Sequence, residues 1–211
     1  VGSFVRFAKP LTSRLALEPR LGARWAKVVA PMLDVTIWSL DTARRLLAQR
    51  LSVKDVGWFD DALLLSIWQR RPAQLLMGDR SPAMLRWRFV RPGGVEWRLY
   101  AAYDTAGRAR GWVIWRALDG HAHVGDFFCD APERMTTALM LAFTAAMRRI
   151  GMLGITVEYF GWPAVVTQLR VAGYIKRPQE RPMYVDSQAH ARLGLSGAED
   201  WYLTSLEDDT D

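Results

Sequence analysis

The chain has 211 residues, of which 50% are hydrophobic and 24% are charged, and its formal net charge is +6. This is the composition of an ordinary globular protein, with enough residues for one sizeable core or for one core with a helical annex. The single cysteine, Cys129, excludes an internal disulfide framework and a multi-cysteine zinc site, so we expect a reducing compartment, the cytoplasm.

The sequence contains no predicted transmembrane or secretory segment. The longest nearly apolar run covers about residues 136–147, which is shorter than the roughly 20 residues that cross a bilayer. The N-terminus lacks the continuous apolar region of a signal peptide. The chain opens on Val1 instead of Met, so we expect a fragment or a processed chain whose upstream sequence belongs to the functional unit.

Residues 1–50 hold all of the excess positive charge, with nine Lys or Arg against three Asp or Glu. Pro10, Pro19 and Pro31 predict several short helices in this part. We interpret the segment as a basic helical lead-in, the end of an upstream region, whose apolar side packs on the main domain over residues 51–211. The alternatives are a contact with anionic lipid or with nucleic acid.

After the lead-in, the hydrophobic periodicity predicts two helices and then alternating strands and helices. Ser81 is the expected N-cap of the second helix, with Pro82 at its first position. Gly151 and Gly173 are expected to end two later helices. The predicted elements are helices at 58–77 and 82–89, strands at 96–104, 110–118 and 121–128, a helix at 132–150, a strand at 154–160, a helix at 162–174, and strands at 181–186 and 200–206. The acidic residues 207–211 are expected to fray.

The element order over residues 80–206 resembles that of the GNAT superfamily of N-acetyltransferases. Four segments, MLRWRFVRPGG, GWVIWRALDGHAHVGDFF, LRVAGYIKRP and EDWYLTSLEDDTD, resemble more closely a bacterial GNAT-like group. This resemblance implies an α+β fold in which a mixed, mostly antiparallel sheet is flanked by helices and preceded by the basic helical segment. It also implies transfer of an acyl group from acetyl-CoA to an amine.

In the GNAT superfamily, glycines before the helix that follows the fourth strand let backbone amides approach the diphosphate of acetyl-CoA. The corresponding junction here, CDAPERMTTA, has no glycine, so the loop is degenerate. We expect Asp130 to cap the helix, Pro132 offers no N–H group, and Glu133 adds a negative charge. The residues that the resemblance assigns to the donor are Phe128, Cys129, Asp130, Ala131 and Arg134.

Acyl transfer to an amine needs a base and often an acid for the leaving group. Asp126, between apolar neighbours in VGDFF, is the first candidate base because burial favours the protonated form of a carboxyl group. Glu158 is the second candidate. Each carboxylate has a structural alternative, an ion pair with an arginine across the sheet. The family's acidic tyrosine falls on about Leu169, so the candidate acids are Tyr174 and Tyr159.

Other functional classes find little support. The chain has no nucleophile elbow, P-loop or dinucleotide fingerprint. His121 and His123 alternate along a strand without a third ligand at a convincing spacing, so no metal is predicted. A role in the core or in a pocket is a simpler interpretation of the tryptophans in strand segments than a surface on which nucleic-acid bases stack.

Large aromatic residues with one acid on adjacent strands predict a pocket for a small acceptor or an acyl chain. The pocket is predicted between the strands at 121–128 and 154–160, which correspond to the fourth and fifth strands of the GNAT superfamily. Its predicted lining is Trp97, Tyr103, Trp112, Trp115 and Asp126. The predicted function is transfer of an acyl group from acetyl-CoA to a small-molecule amine. The alternatives are a degenerate GNAT-like module that binds a ligand or a partner, and an acyltransferase with another donor such as an aminoacyl-tRNA. The sequence leaves the acceptor and the oligomeric state open.

Overall fold

The computed structural model describes residues 2–57, 60–90, 94–183 and 197–207. In chain order the helices and strands are β1 (Gly2–Pro10), α1 (Arg14–Leu47), β2 (Ser52–Asp55), α2 (Asp61–Trp68), β3 (Leu76–Met77), α3 (Pro82–Phe89), β4 (Arg98–Tyr103), β5 (Ala109–Leu118), β6 (His121–Cys129), α4 (Pro132–Arg149), β7 (Gly154–Gly161), α5 (Pro163–Val171), β8 (Ile175–Met183) and β9 (Trp201–Thr204). The predicted α+β fold class is confirmed.

The strands form one sheet in the order β2-β4-β5-β6-β7-β1-β8, with β9 paired to β7 and β3 paired to β9. The pair β6–β7, which α4 connects, and the pair β3–β9 are parallel, and the other pairs are antiparallel. The sheet is therefore mixed and mostly antiparallel, as predicted.

Most predicted elements from residue 80 onward are confirmed. The Ser81 hydroxyl caps α3 by accepting from the Met84 amide, and positive φ angles at Gly151 and Gly173 follow the two later helices. The predicted helix at 58–77 is wrong in its second half, because α2 ends at Trp68. The predicted strand at 181–186 is described as far as Met183. Residues 208–211 of the expected frayed tail lie outside the described residues.

The lead-in segment differs in two ways from the prediction. Residues Gly2–Pro10 form a strand inside the sheet, where both β7 and β8 gain an antiparallel partner and Phe7 becomes fully buried. The following residues are helical as expected, but Pro31 lies within α1, which is interrupted only at Gly22, where φ is 75°. The prediction of several short helices separated by prolines is therefore wrong.

Helices cover both faces of the sheet. On one face, Phe143 of α4 packs edge-on against Tyr100 and Trp115. On the other face, Trp68 of α2 packs against Phe128. Among the described residues, no helix combines the length and hydropathy needed to cross a membrane.

Candidate functional site

β6 and β7 are paired only over their first residues. Residues His121–Val124 lie beside Gly154–Val157 in a parallel register, after which β7 leaves β6 and pairs with β9 through Tyr159–Gly161. A parallel pair that separates in this way exposes strand edges on which a ligand can bind. The candidate site is therefore sought at this separation.

Beyond Val124 and Val157, where their pairing ends, the gap between β6 and β7 is filled by β9. Tyr202 of β9 is fully buried, and its hydroxyl donates to the carbonyl oxygen of Phe127 over 2.7 Å. Its ring lies 5.2 Å from that of Tyr159 and 5.9 Å from those of Phe127 and Phe128. The prediction of an open pocket in this part of the gap is wrong, because these aromatic rings close it.

Asp126, the first candidate base, lies fully buried in a hydrogen-bond network beneath β9. One carboxylate oxygen accepts from Arg80 Nε over 3.1 Å and from Thr204 Oγ1 over 2.7 Å. The other accepts from Trp112 Nε1 over 2.8 Å. Arg80 is also fully buried, so this is the cross-sheet ion pair that the sequence left open as an alternative. The network fixes β9 to β6.

The predicted aromatic lining does not form one pocket. Trp112 points to Asp126, whereas Trp115 packs against α4 on the other face of the sheet. Tyr103 lies at the outer edge beside Lys54, whose Nζ is 5.4 Å from the ring centre. The physical reason is the pleat, which sends neighbouring positions of β5 to opposite faces.

A cavity of about 210 Å³ remains where β6 and β7 begin to separate, on the face of the sheet that carries α3. Its wall combines a guanidinium cluster, one carboxylate, one imidazole and aromatic rings from six elements and their flanks. The lining residues are Arg6, Arg88, Phe89, Trp97, Arg116, His123, Val124, Gly125, Thr156, Glu158, Arg181 and Ser205. We call this cavity the arginine pocket.

Glu158, the second candidate base, points into the arginine pocket. Its side chain is 13% exposed, and one carboxylate oxygen accepts from Arg6 Nε and Nη2 over 2.9 and 2.7 Å. The other oxygen accepts from Arg181. These two arginine partners fix the direction of the Glu158 side chain, which suits a binding role better than proton transfer.

Arg116 supplies a further positive charge to the pocket wall. Its guanidinium lies over the ring of Trp97, 4.9 Å from the ring centre. Its Nε is buried and has no hydrogen-bond acceptor in the described part of the chain. A buried donor of this kind is costly unless a ligand or water satisfies it. Among the described residues, the pocket wall thus includes four arginines and the carboxylate of Glu158.

His123 supplies an imidazole to the wall of the arginine pocket. Burial lowers its pKa below 6.5, and the neighbouring charges of Arg116, His121 and Arg6 lower it further. The imidazole is therefore neutral at pH 7 and can accept a proton. The sequence suggested a role for His123 only as a metal ligand, because nothing local shows that arginines surround it.

Gly125 shapes the floor of the pocket. Ile114 pairs with Asp126 and Trp115 with Val124, so Gly125 is an extra residue, a bulge, on β6. A Cβ at Gly125 would lie 2.6 Å from the ring of Trp97, a contact that no side chain tolerates. The bulge glycine thus lets an aromatic wall close directly over the strand.

The start of α4, where the resemblance places the donor, is arranged differently from the expectation. Asp130 does not cap α4. The N-cap is Ala131, without a side-chain cap bond. The Asp130 carboxylate instead accepts from Arg70 Nε at 2.9 Å and from Arg110 Nε at 2.8 Å. Two guanidinium partners give stronger hydrogen bonds than a backbone amide, which explains why the capping prediction is wrong.

The other predicted donor residues are mostly enclosed. Phe128 and Cys129 are fully buried, and burial raises the pKa of the Cys129 thiol to about 12. The Ala131 carbonyl accepts from the amides of Arg134 and Met135. The Arg134 side chain is 78% exposed and contacts Glu133. Tyr202 lies in the strand gap next to this junction, and the junction itself has no glycine.

Tyr174, the candidate acid, lies away from the arginine pocket. It is buried against α4, where its hydroxyl is 3.3 Å from Thr144 Oγ1, and burial raises its pKa. Two larger cavities, of about 700 and 750 Å³, border α1 and contain no predicted catalytic residue. Within the described ranges, no group of three or more His, Cys, Asp or Glu residues could hold a metal.

The sequence matches no protein-family model and no curated protein. Among solved structures, a functionally unknown conserved protein from Staphylococcus epidermidis is 11% identical, with a TM-score of 0.49 over 83% of this chain and 58% of that one. A conserved protein of unknown function from Enterococcus faecalis, described as a probable N-acyltransferase, is 14% identical, with a TM-score of 0.48 over 86% of this chain and 38% of that one.

Saccharomyces cerevisiae N-myristoyltransferase with bound myristoyl-CoA is 7% identical, with a TM-score of 0.42 over 74% of this chain and 42% of that one. This chain thus spans less than two thirds of each of these proteins. Similarity at this level assigns neither an activity nor a ligand to this chain.

Proposed function

We propose that the protein is an N-acyltransferase whose amine acceptor binds in the arginine pocket. The observation that carries this proposal is the neutral imidazole of His123 at the point where the parallel strands β6 and β7 separate. The element order that resembles the GNAT superfamily agrees with it. We also propose that the chain belongs to the bacterial GNAT-like group that its four sequence segments resemble.

In the proposed reaction His123 is the general base. The acceptor nitrogen bonds to the acyl carbon, the bond between this carbon and the donor's leaving group breaks, and the proton released from nitrogen passes to the imidazole. The leaving group departs as an anion or takes a proton from water. A base whose pKa lies below 6.5 is ready to accept a proton over the whole neutral range.

The charge of the pocket indicates the kind of acceptor. Among the described residues the cavity wall holds more guanidinium groups than carboxylates, and the buried Nε of Arg116 has no acceptor there. We therefore propose a small amine that also carries a carboxylate or phosphate group. Arg116, with its buried Nε donor, is the proposed partner of that acid group, and Glu158 the proposed partner of the amine.

The remaining predicted site residues receive structural roles in this proposal. Asp126 fixes β9 through Arg80, and Tyr174 packs α5 against α4. The assignment of Phe128, Cys129, Asp130, Ala131 and Arg134 to an acetyl-CoA donor stays a prediction. A location in the cytoplasm is proposed as well, since Cys129 is a free thiol.

The experiment is a transfer assay with acetyl-CoA and longer acyl-CoA donors against amines with and without an acid group, in which release of free thiol is followed. We expect turnover with acidic amines, and a rate that falls as pH drops through the lowered pKa of His123. His123→Gln should lose at least 100-fold in kcat, because a positioned base contributes about 10²–10⁴.

The matched control is His121→Gln, two residues away on the same strand. The His121 ring bonds to its own turn through the carbonyl of Asp119 and is not part of the pocket wall. This variant should keep wild-type activity at pH values well above the pKa of His123, because the charge of His121 affects only that pKa. Equal losses in the two variants would contradict a catalytic role for His123.

A second function, a ligand-binding module without transfer activity, is favoured by one observation. Tyr202 closes the strand gap in which a donor would lie. Calorimetric titration separates the two functions: if acidic amines bind while CoA at millimolar concentration does not, CoA-dependent transfer is excluded. A binding module or a transferase with another donor then remains.

A further inference from the structure

α1 is an amphipathic helix whose apolar side faces away from the protein. Beyond the break at Gly22, four large apolar residues follow at spacings of three and four, which places them on one face of the helix. All are largely exposed: Trp25 by 67%, Val28 by 60%, Met32 by 73% and Val35 by 61%. Soluble proteins rarely leave a contiguous apolar patch of this kind in water.

The inner side of α1 is small and polar instead. Ala26 and Ala30 are buried against the body. Asp34 accepts from Thr12 Oγ1 at 3.0 Å and from the Ser13 amide at 2.6 Å. The helix is thus attached through small and polar residues, and the four large apolar residues of its outer side stay largely exposed.

A buried charge cluster strengthens this attachment. Asp41 of α1 lies 2.8 Å from Lys9 Nζ and 2.6 Å from Arg148 Nη2. Two of the three acidic residues of α1, Asp34 and Asp41, are therefore turned toward the body. The third, Glu18, lies before the break at Gly22.

Cations border the apolar stripe on one side. Helical spacing places Arg24, Lys27 and Arg45 on the same flank, next to Trp38, which is 58% exposed. None of the three cations forms an ion pair with another described residue. The hydroxyl of Thr36, on the outer side, donates to the carbonyl of Met32, so it does not need water.

We propose that the outer face of α1 binds the surface of an anionic lipid bilayer. An in-plane helix with aromatic and aliphatic residues on one side and cations along its flank has the composition that the interface requires. A second copy of the chain fits less well, because its α1 would bring further cations and no outward acid beyond Gly22. The proposal is independent of the acyl transfer proposed above.

The test is sedimentation of the purified chain with vesicles of phosphatidylcholine alone or with phosphatidylglycerol added. We expect binding to the anionic vesicles only, with a blue shift of tryptophan emission and weakening by salt. Replacing Arg24, Lys27 and Arg45 together with Gln should reduce the partition coefficient roughly 100-fold, since each cation near such a surface contributes about fivefold.

A second variant, Val28→Ser with Met32→Ser, removes apolar contacts at exposed positions and should keep the wild-type melting temperature. It should also lose vesicle binding. The matched control is the replacement of Arg98, Arg108 and Arg177, three exposed arginines outside α1, with Gln, which should bind vesicles as the wild type does.

Three results would overturn the proposal. The first is no binding of the wild-type chain to anionic vesicles. The second is binding that survives the Val28→Ser, Met32→Ser change, which would show a purely electrostatic contact. The third is a dimer in light scattering that the same change dissociates, which would assign the apolar face to a second copy.

Discussion

Replacing Arg80 with Met should destabilise the protein strongly, because it leaves a carboxylate buried without its counter-ion. Arg80 and Asp126 both have side chains with 0% exposure. The substitution removes the 3.1 Å bond to Asp126 and the 3.0 Å bond to the Gly78 carbonyl. Thr204 and Trp112 would remain as neutral donors to the carboxylate.

Loss of one partner from a buried ion pair costs about 3–5 kcal/mol. In a chain of this size 1 kcal/mol corresponds to about 2–4 °C in melting temperature, so Arg80→Met should melt roughly 6–20 °C lower. Adding Asp126→Asn to Arg80→Met should recover part of the loss, because the buried negative charge is then gone.

The assay is urea unfolding followed by tryptophan fluorescence, with the free energy extrapolated to water. The control is Arg98→Met, since Arg98 pairs with Glu96 at 3.3 Å where both side chains are exposed. Exposed pairs contribute less than about 1 kcal/mol. Equal stability of Arg80→Met and Arg98→Met would refute the reasoning that the buried pair fixes β9.

Two further predictions concern the pocket floor and a buried lysine. Gly125→Ala should destabilise the fold by about 1–3 kcal/mol and weaken ligand binding, because its Cβ would lie 2.6 Å from the Trp97 ring; urea unfolding that is unchanged would contradict this. Burial lowers the pKa of Lys9 from 10.5 to about 8, so the unfolded chain holds more protons between these values and stability should rise with pH there. In Lys9→Met this rise should be absent. The measurement is the free energy of unfolding of wild type and variant from pH 8 to 9.5. Taking the difference between the two proteins cancels the contributions of Cys129 and the buried tyrosines, which both proteins share.

The sequence alone predicted the local elements of the sheet and of the two helices within it. The alternation of aromatic and β-branched residues in β5 and β6, and the apolar face of α4, are local patterns of period two and 3.6 that the tertiary structure preserves. Gly151 and Gly173 could be read as helix ends because a positive φ angle is a local requirement that glycine meets most easily.

Only the tertiary structure decided which charges meet. Asp126 bonds to Arg80, which is 46 residues away, and Glu158 to Arg6, which is 152 residues away. Periodicity shows that a position is buried, but the partner depends on strand order and register, which one sequence does not show. For the same reason the sequence did not show the burial of His123 beside Arg116, on which its proposed role as a base depends.

The positions of the two terminal strands were also decided by tertiary structure. Gly2–Pro10 enters the sheet between β7 and β8, and Trp201–Thr204 fills the gap beside β6. A strand edge accepts any extended segment of suitable alternation, so hydrogen bonding alone does not select the partner. Burial of Phe7 in one case and of Tyr202 in the other distinguishes these pairings, and such burial exists only once the sheet is assembled.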